Sequence, residues 1–317
     1  MDNFKIRNGV LKKYDGHQKN ITIPDSVTKI NRKAFSFNII TELSIPGTVK
    51  SIGNSAFSDC ASLAKLTISE GVTSIGNRAF ECCFALPEVT IPSSVKKIGK
   101  KAFNACKSLT KVVISNGVKT IEEQAFLCCF SLTEIFIPGS VEIIGKDAFC
   151  LCRSLTKVTI SDGVKNIKSG AFLGCDSLTE VSIPSSVKTI DKSAFVALSS
   201  IRKISISIEQ LPLFKHLEPG VYLAAIIGCL NRYSSEKMSK EQISEFKNLL
   251  KHNSINLAEM IADDISCIKF CTENNVLTVN YAQSLMEKCT STECRTILLN
   301  YIIKKNGTKN VSDNYKL

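Results

Sequence analysis

Phe57, Phe80, Phe103, Phe126, Phe149, Phe172 and Phe195 stand 23 residues apart, and each follows an alanine. Three further apolar columns keep the same step: isoleucines from Ile45 to Ile206, valines from Val49 to Val187, and isoleucines from Ile52 to Ile190. An earlier copy (Ile23, Val27, Ile30, Ala34, Phe35) runs one residue short, with the deletion at SFNII between Phe35 and Ile40. No other feature constrains the fold as much. A unit of this length cannot bury an apolar face alone, so it must stack on its own copies. The chain is read as a solenoid.

Within one unit, LTEVSI shows the strand logic. Leu178, Val181 and Ile183 point inward and Ser182 points out between two of them. Proline or serine follows at once; proline has no N–H for a ladder and ends the strand. The Val-x-x-Ile and Ala-Phe segments then return across the other side of the coil and bury against the strand's inner face. Stacking predicts one parallel sheet with strands ~4.8 Å apart. The second strand position alternates Glu42, Lys65, Glu88, Lys111, Glu134, Lys157, Glu180 and Lys203. Like charges at that spacing would repel, whereas opposite neighbours contribute about 0.2–1 kcal/mol each. Pro46, Ser69, Pro92 and Ser115 alternate with the same doubled step, as do Gly71, Gly117 and Gly163. Charge pairing is the expected cause of the two-coil period.

Written out, the unit is C-x-S-L-T-x-V-x-I-P-x-S-V-x-x-I-x-x-x-A-F. Residues 21 to about 206 resemble the treponemal, or BspA-like, class of leucine-rich repeats. The preceding FKIRNGVLKKYDGHQKNITIP resembles the hairpin-like cap that opens such arrays. The resemblance implies a non-catalytic binding scaffold. For many members it implies a surface role in adhesion to host proteins or other cells.

After Ile208 the spacing becomes helical. Val221 to Tyr233 follows Pro219 as an apolar helix, and Ser239 caps SKEQISEFKNLLKHN, with Ile243, Phe246, Leu249 and Leu250 on one face. INLAEMIADD, Ile265 to Thr272, a segment after Thr278, and STECRTILLNYIIKK with Ser291 as cap supply the rest. The fold class is therefore α+β: a leucine-rich-repeat solenoid with a parallel sheet of 23-residue coils, then an α-helical domain of stacked helix pairs. The expected divisions are a cap at 1–20, the solenoid at 21–208, the helical domain at 209–305 and a tail at 306–317.

Fourteen cysteines invite a chemical reading. Six of them (Cys60, Cys83, Cys106, Cys129, Cys152, Cys175) form another column before each strand, where a small thiol fills the inner corner of the turn and bonds backbone. Cys82, Cys128 and Cys150 are irregular and make no C-x-x-C framework. Cys267, Cys271, Cys289 and Cys294 imitate a four-thiolate zinc site only at non-standard spacing, so no metal and no cofactor is expected. His17, His216 and His252 are scattered, with no nucleophile motif or phosphate loop near them, and no enzyme is expected. No apolar run reaches the ~18 residues of a membrane span. MDNFKIRNGVLKKYDG has no apolar core of a secretory signal, so the expected location is the cytoplasm, with the cell surface as the alternative.

The net charge is +11, and residues 1–210 hold 27 basic against 18 acidic residues. The excess sits at Lys96, Lys97, Lys100, Lys101, Lys165, Lys168, Lys188 and Lys192, a stripe able to attract a polyanion. The chain has no Trp and no aromatic-interleaved arginine patch for stacking bases, so nucleic acid is disfavoured. The outward strand position breaks pattern instead: Val113 and Phe136 follow Ser44, Thr67 and Thr90. Phe84 and Phe130 stand where other coils hold Ala61, Lys107, Arg153 and Asp176. Exposed aromatics rimmed by charge suit a protein partner. The expected contact set is Lys111, Val113, Glu134, Phe136, Phe84 and Phe130, on a monomer binding an unidentified protein.

Overall fold

The computed structural model describes residues 3–232, 238–252 and 261–306. They fall into two compact units, Met1–Ile201 with His216–Glu218, and Arg202–Lys215 with Pro219–Leu317.

The first unit opens with an antiparallel hairpin of β1 (Phe4–Arg7) and β2 (Val10–Tyr14). Asn8 and Gly9 turn it with φ of 53° and 71°, the left-handed pair that a tight hairpin requires. Each later coil adds one longer and one two-residue strand. The longer ones are β3 (Asn20–Thr22), β5 (Glu42–Ile45), β7 (Lys65–Ile68), β9 (Glu88–Ile91), β11 (Lys111–Ile114), β13 (Glu134–Ile137), β15 (Lys157–Ile160) and β17 (Glu180–Ser182). The short ones are β4 (Lys29–Ile30), β6 (Ser51–Ile52), β8 (Ser74–Ile75), β10 (Lys97–Ile98), β12 (Thr120–Ile121), β14 (Ile143–Ile144), β16 (Asn166–Ile167) and β18 (Thr189–Ile190). The short strands extend the hairpin into one unbroken ten-stranded sheet.

Between the faces run the repeated columns. Successive rings from Phe57 to Phe195 lie 5.2–5.5 Å apart and within 9° of parallel. Phe35 and Tyr14 continue the stack at 4.8 and 4.9 Å, so the cap supplies a ring of its own. The six column thiols donate to phenylalanine carbonyls of the preceding coil, as Cys106 Sγ does to Phe80 O at 3.2 Å. The two sides of a coil bond in opposite directions. Ser69 N donates back to Ile45 O at 3.0 Å, while Phe57 N donates forward to Ala79 O at 2.8 Å.

The longer strands depart from the expected single sheet. Strands β3, β5 and β7 form one set, β9 and β11 another, and β13 begins a third with β15 and β17; no ladder joins β7 to β9 or β11 to β13. Proline contributes at these joints without deciding the break, since β3–β5 and β15–β17 stay paired although Pro46 and Pro184 follow β5 and β17. Ser69, Ser115 and Ser161 each donate an N–H to the isoleucine carbonyl one coil back at 3.0 Å. Pro92 and Pro138 have no N–H to offer at the equivalent joints. A serine two residues beyond the proline makes up part of the loss. Ser94, Ser140 and Ser186 each accept the N–H of Gly71, Gly117 or Gly163 at 2.9 Å. Ser94 and Ser186 also donate to the Val72 and Val164 carbonyls at 2.7 and 2.9 Å. Among the described residues only Lys65–Glu42, at 3.7 Å, is an ion pair within the Glu/Lys strand column. Charge alternation is thus a minor partner in the doubled period, which the serine-to-glycine contacts of alternate coils follow. Accordingly, Ser94→Ala is expected to cost about 1–3 kcal/mol by orphaning a half-buried N–H and carbonyl. The exposed Ser62→Ala should be near neutral by denaturant titration.

In the second unit, β19 (Lys203–Ser205) lies against α1 (Pro219–Arg232) so closely that a Cβ on Gly228 would sit 1.9 Å from Ile204 O. Then follow α2 (Lys240–His252), α3 (Ile265–Glu273), α4 (Val279–Lys288) and α5 (Thr292–Asn306). Ser239 caps α2 as predicted, accepting from Gln242 N at 3.2 Å while Gln242 Oε1 accepts from Ser239 N at 2.8 Å. Asp263 fixes the α4–α5 turn: its carboxylate accepts from Ser291 N, Thr290 Oγ1 and Thr290 N, each at 2.7 Å, and these bonds hold its pKa below the ordinary value. Tyr301 on α5 donates to Leu277 O at 2.7 Å. The helix read at INLAEMIADD falls mainly outside the described residues, as do Tyr233 and residues 307–317 of the tail.

Candidate functional site

Strand alternation decides what the exposed face carries. Val112, Ile114, Ile135 and Ile137 are buried, which forces Val113 and Phe136 outward between them, 40% and 55% exposed. Lys111 and Glu134 are exposed beside them on β11 and β13. The two strands run side by side across the joint that lacks a ladder. Lys111 is in register with Glu88, and Glu134 with Lys157.

Phe84 and Phe130 sit in the turns leading into β9 and β13. Neither folds into the core: Phe84 is exposed and Phe130 half-buried. Each lies under a cation from the next coil, Lys107 Nζ at 5.0 Å and Arg153 Cζ at 5.4 Å from the ring centres. Such contacts hold an aromatic flat on a surface. Phe37 and Ile39, 75% and 55% exposed, lie in the equivalent turn of the first full coil. Sequence reasoning passed over them, although their signal is the deleted residue at SFNII. Apart from Ile6 in the cap hairpin, the large exposed apolar side chains among the described residues all belong to this strand face or its leading turns. The face is polar at its first strands, where Glu42, Ser44, Lys65 and Thr67 line a hollow of about 290 Å³.

The lysine stripe is partly neutralised. Lys97 meets Glu122 at 2.8 Å, Lys100 meets Glu123 at 3.1 Å and Lys165 meets Glu142 at 3.7 Å. The column thiols are shielded rather than reactive: burial pushes Cys60 and Cys175 up to about 12 and Cys83, Cys129 and Cys152 upward as well. Cys82 and Cys128 alone are half-buried. Thiol labelling of the folded protein at pH 8 should therefore modify these two first and the other twelve only on unfolding. Fast loss of any column thiol before unfolding would contradict the packing.

Cys267 and Cys271 lie one turn apart on α3, both fully buried. No group of three or more His, Cys, Asp or Glu side chains able to hold a metal occurs among the described residues. His216 Nε2 lies 3.0 Å from Ile190 O, a structural contact. No helix among the described residues is long and apolar enough to cross a membrane.

Comparison with known proteins agrees with this architecture. The family profile of the BspA type leucine rich repeat region, six copies long, matches residues 5–127 and 119–211. A T. pallidum leucine-rich repeat protein is 27% identical over 62% of this chain and 77% of its own, with a TM-score of 0.42. A leucine-rich repeat protein from Bacteroides capillosus is 34% identical over 33% of this chain and 86% of its own, TM-score 0.32. A leucine rich cell surface protein from Faecalibacterium prausnitzii is 23% identical over 62% and 90%, TM-score 0.31. No curated protein matches the chain. With the profile spanning most of the chain and its repeat visible in every coil, this protein belongs to the BspA-type leucine-rich repeat family.

Proposed function

We propose that this protein is a non-catalytic scaffold that captures a protein partner on the strand face around Val113 and Phe136. Lys111 and Glu134 supply the charged rim, and Phe84 and Phe130 extend the apolar surface. One observation carries the reading: the exposed large apolar residues gather on one face and its leading turns. The Phe ladder behind that face holds it rigid, so little entropy is lost on binding. The setting proposed for this capture is the cytoplasm, with the cell surface as the alternative. A cell-surface adhesin would use the same face, and cell fractionation separates the two settings.

Phe136→Asp places a charge at the centre of the patch without touching the core. Side-by-side affinity capture from native lysate should lose the partner with the variant, while the melting temperature stays within about 2 °C of wild type. Equal capture by both proteins removes this face from consideration.

A further inference from the structure

We propose that a groove on the turns that follow the short strands β4, β6, β8 and β10 binds a linear sulfated polysaccharide. The groove holds about 420 Å³ and is lined by Arg32, Asn54, Asn77, Arg78 and Lys101. These residues come from two columns, each advancing one position per coil at ~4.8 Å.

The orientation of the amides is what selects the ligand. Asn54 Oδ1 accepts from Asn77 N at 2.9 Å, and Asn77 Oδ1 accepts from Lys100 N at 3.0 Å. Their oxygens are engaged by the coil above, which leaves the Nδ2 groups for the groove. Arg32 and Lys101 have no carboxylate within 4 Å among the described residues, and Arg78 Nε lies 3.6 Å from Glu81 Oε2. The one acidic residue in the lining, Glu123, is held by Lys100 at 3.1 Å, and that contact keeps its pKa low. The lining therefore offers mainly donors and positive charge. Further along, the columns turn to Lys146 beside Asp147 and then to Ser169 and Gly170, so the run of donors gives way to mixed charge and small residues.

A chain of anionic groups interspersed with hydroxyls fits such a row. The cations meet sulfates, the asparagine amides meet hydroxyl or sulfate oxygens, and the coil rise is close to the length of one extended pyranose unit. No aromatic residue lines the groove, so a single-stranded nucleic acid finds no surface for its bases. The groove is separate from the Phe136 face, so the two proposals fail independently.

The test is binding of heparin by the full chain at 0.15 M NaCl, with unsulfated dextran and poly(U) RNA in parallel. Asn54→Asp with Asn77→Asp keeps the bonded oxygens and replaces the donors by anions. Heparin binding should weaken at least ~10-fold, and Arg78→Ala with Lys101→Ala should weaken it similarly with a flatter salt dependence. Lys165→Ala with Lys168→Ala, and Phe136→Asp, should bind within twofold of wild type. Melting curves identify any variant that fails to fold, in which case the other groove pair decides. The proposal is overturned if wild type ignores heparin, if folded groove variants bind normally, if the Lys165/Lys168 pair weakens binding as much, or if poly(U) binds as tightly as heparin.

Discussion

Replacing Phe103 by alanine is expected to lower the unfolding free energy by about 3–5 kcal/mol. The ring is fully buried and lies 5.2 Å from Phe80 and 5.4 Å from Phe126. Its removal leaves a cavity and breaks two stacked contacts at once. In a solenoid each coil is held only by its neighbours, so a fault in the middle uncouples the two halves of the array. Phe136→Ala provides the contrast. It deletes the same ring from the same protein, yet the ring is on the surface, and the change should stay within about 0.5 kcal/mol. Urea titration of both variants checks the pair. A loss below 1 kcal/mol at Phe103 would mean that the ladder closes over the gap.

Gly163→Ala is expected to be nearly as damaging, costing about 2–4 kcal/mol. Gly163 has φ of +122°, and a Cβ there would lie 1.8 Å from the Gly139 carbonyl oxygen. The coil cannot move away, because Gly163 N is held by Ser186 Oγ at 2.9 Å from the other side. Gly220, whose Cβ would meet open space, serves as the control. Thermal melts of the two alanine variants measure the difference, and equal midpoints would show that the proline-containing joints are soft.

Much of this was readable in the chain. The Phe, Val, Ile and Cys columns are buried where their period says they should be, and Ser239, Thr278 and Ser291 open helices as their positions imply. Other features gave no signal. Lys33, Ser55, Arg78, Lys101, Gln124 and Asp147 all adopt left-handed φ between 53° and 59°, and glycine marks that column only at Gly170. The absence of β-branched residues there is the sole trace, and it is too faint to read forwards. The outward cant of Phe84 and Phe130 also needed coordinates, because it depends on Lys107 and Arg153 reaching across from the next coil.

The period, the direction of each strand side chain, and the family followed from the residues alone. In a stacked coil the nearest foreign neighbour of a side chain is its own counterpart one turn away, so one copy implies the rest. Tertiary structure alone decided where the strand ladder breaks, which amide oxygens are occupied, and how far the surface aromatics stand out. Those depend on the distances and angles at which two coils meet. Hydrogen bonding is directional and short-ranged, and an apolar pattern records only which side is dry.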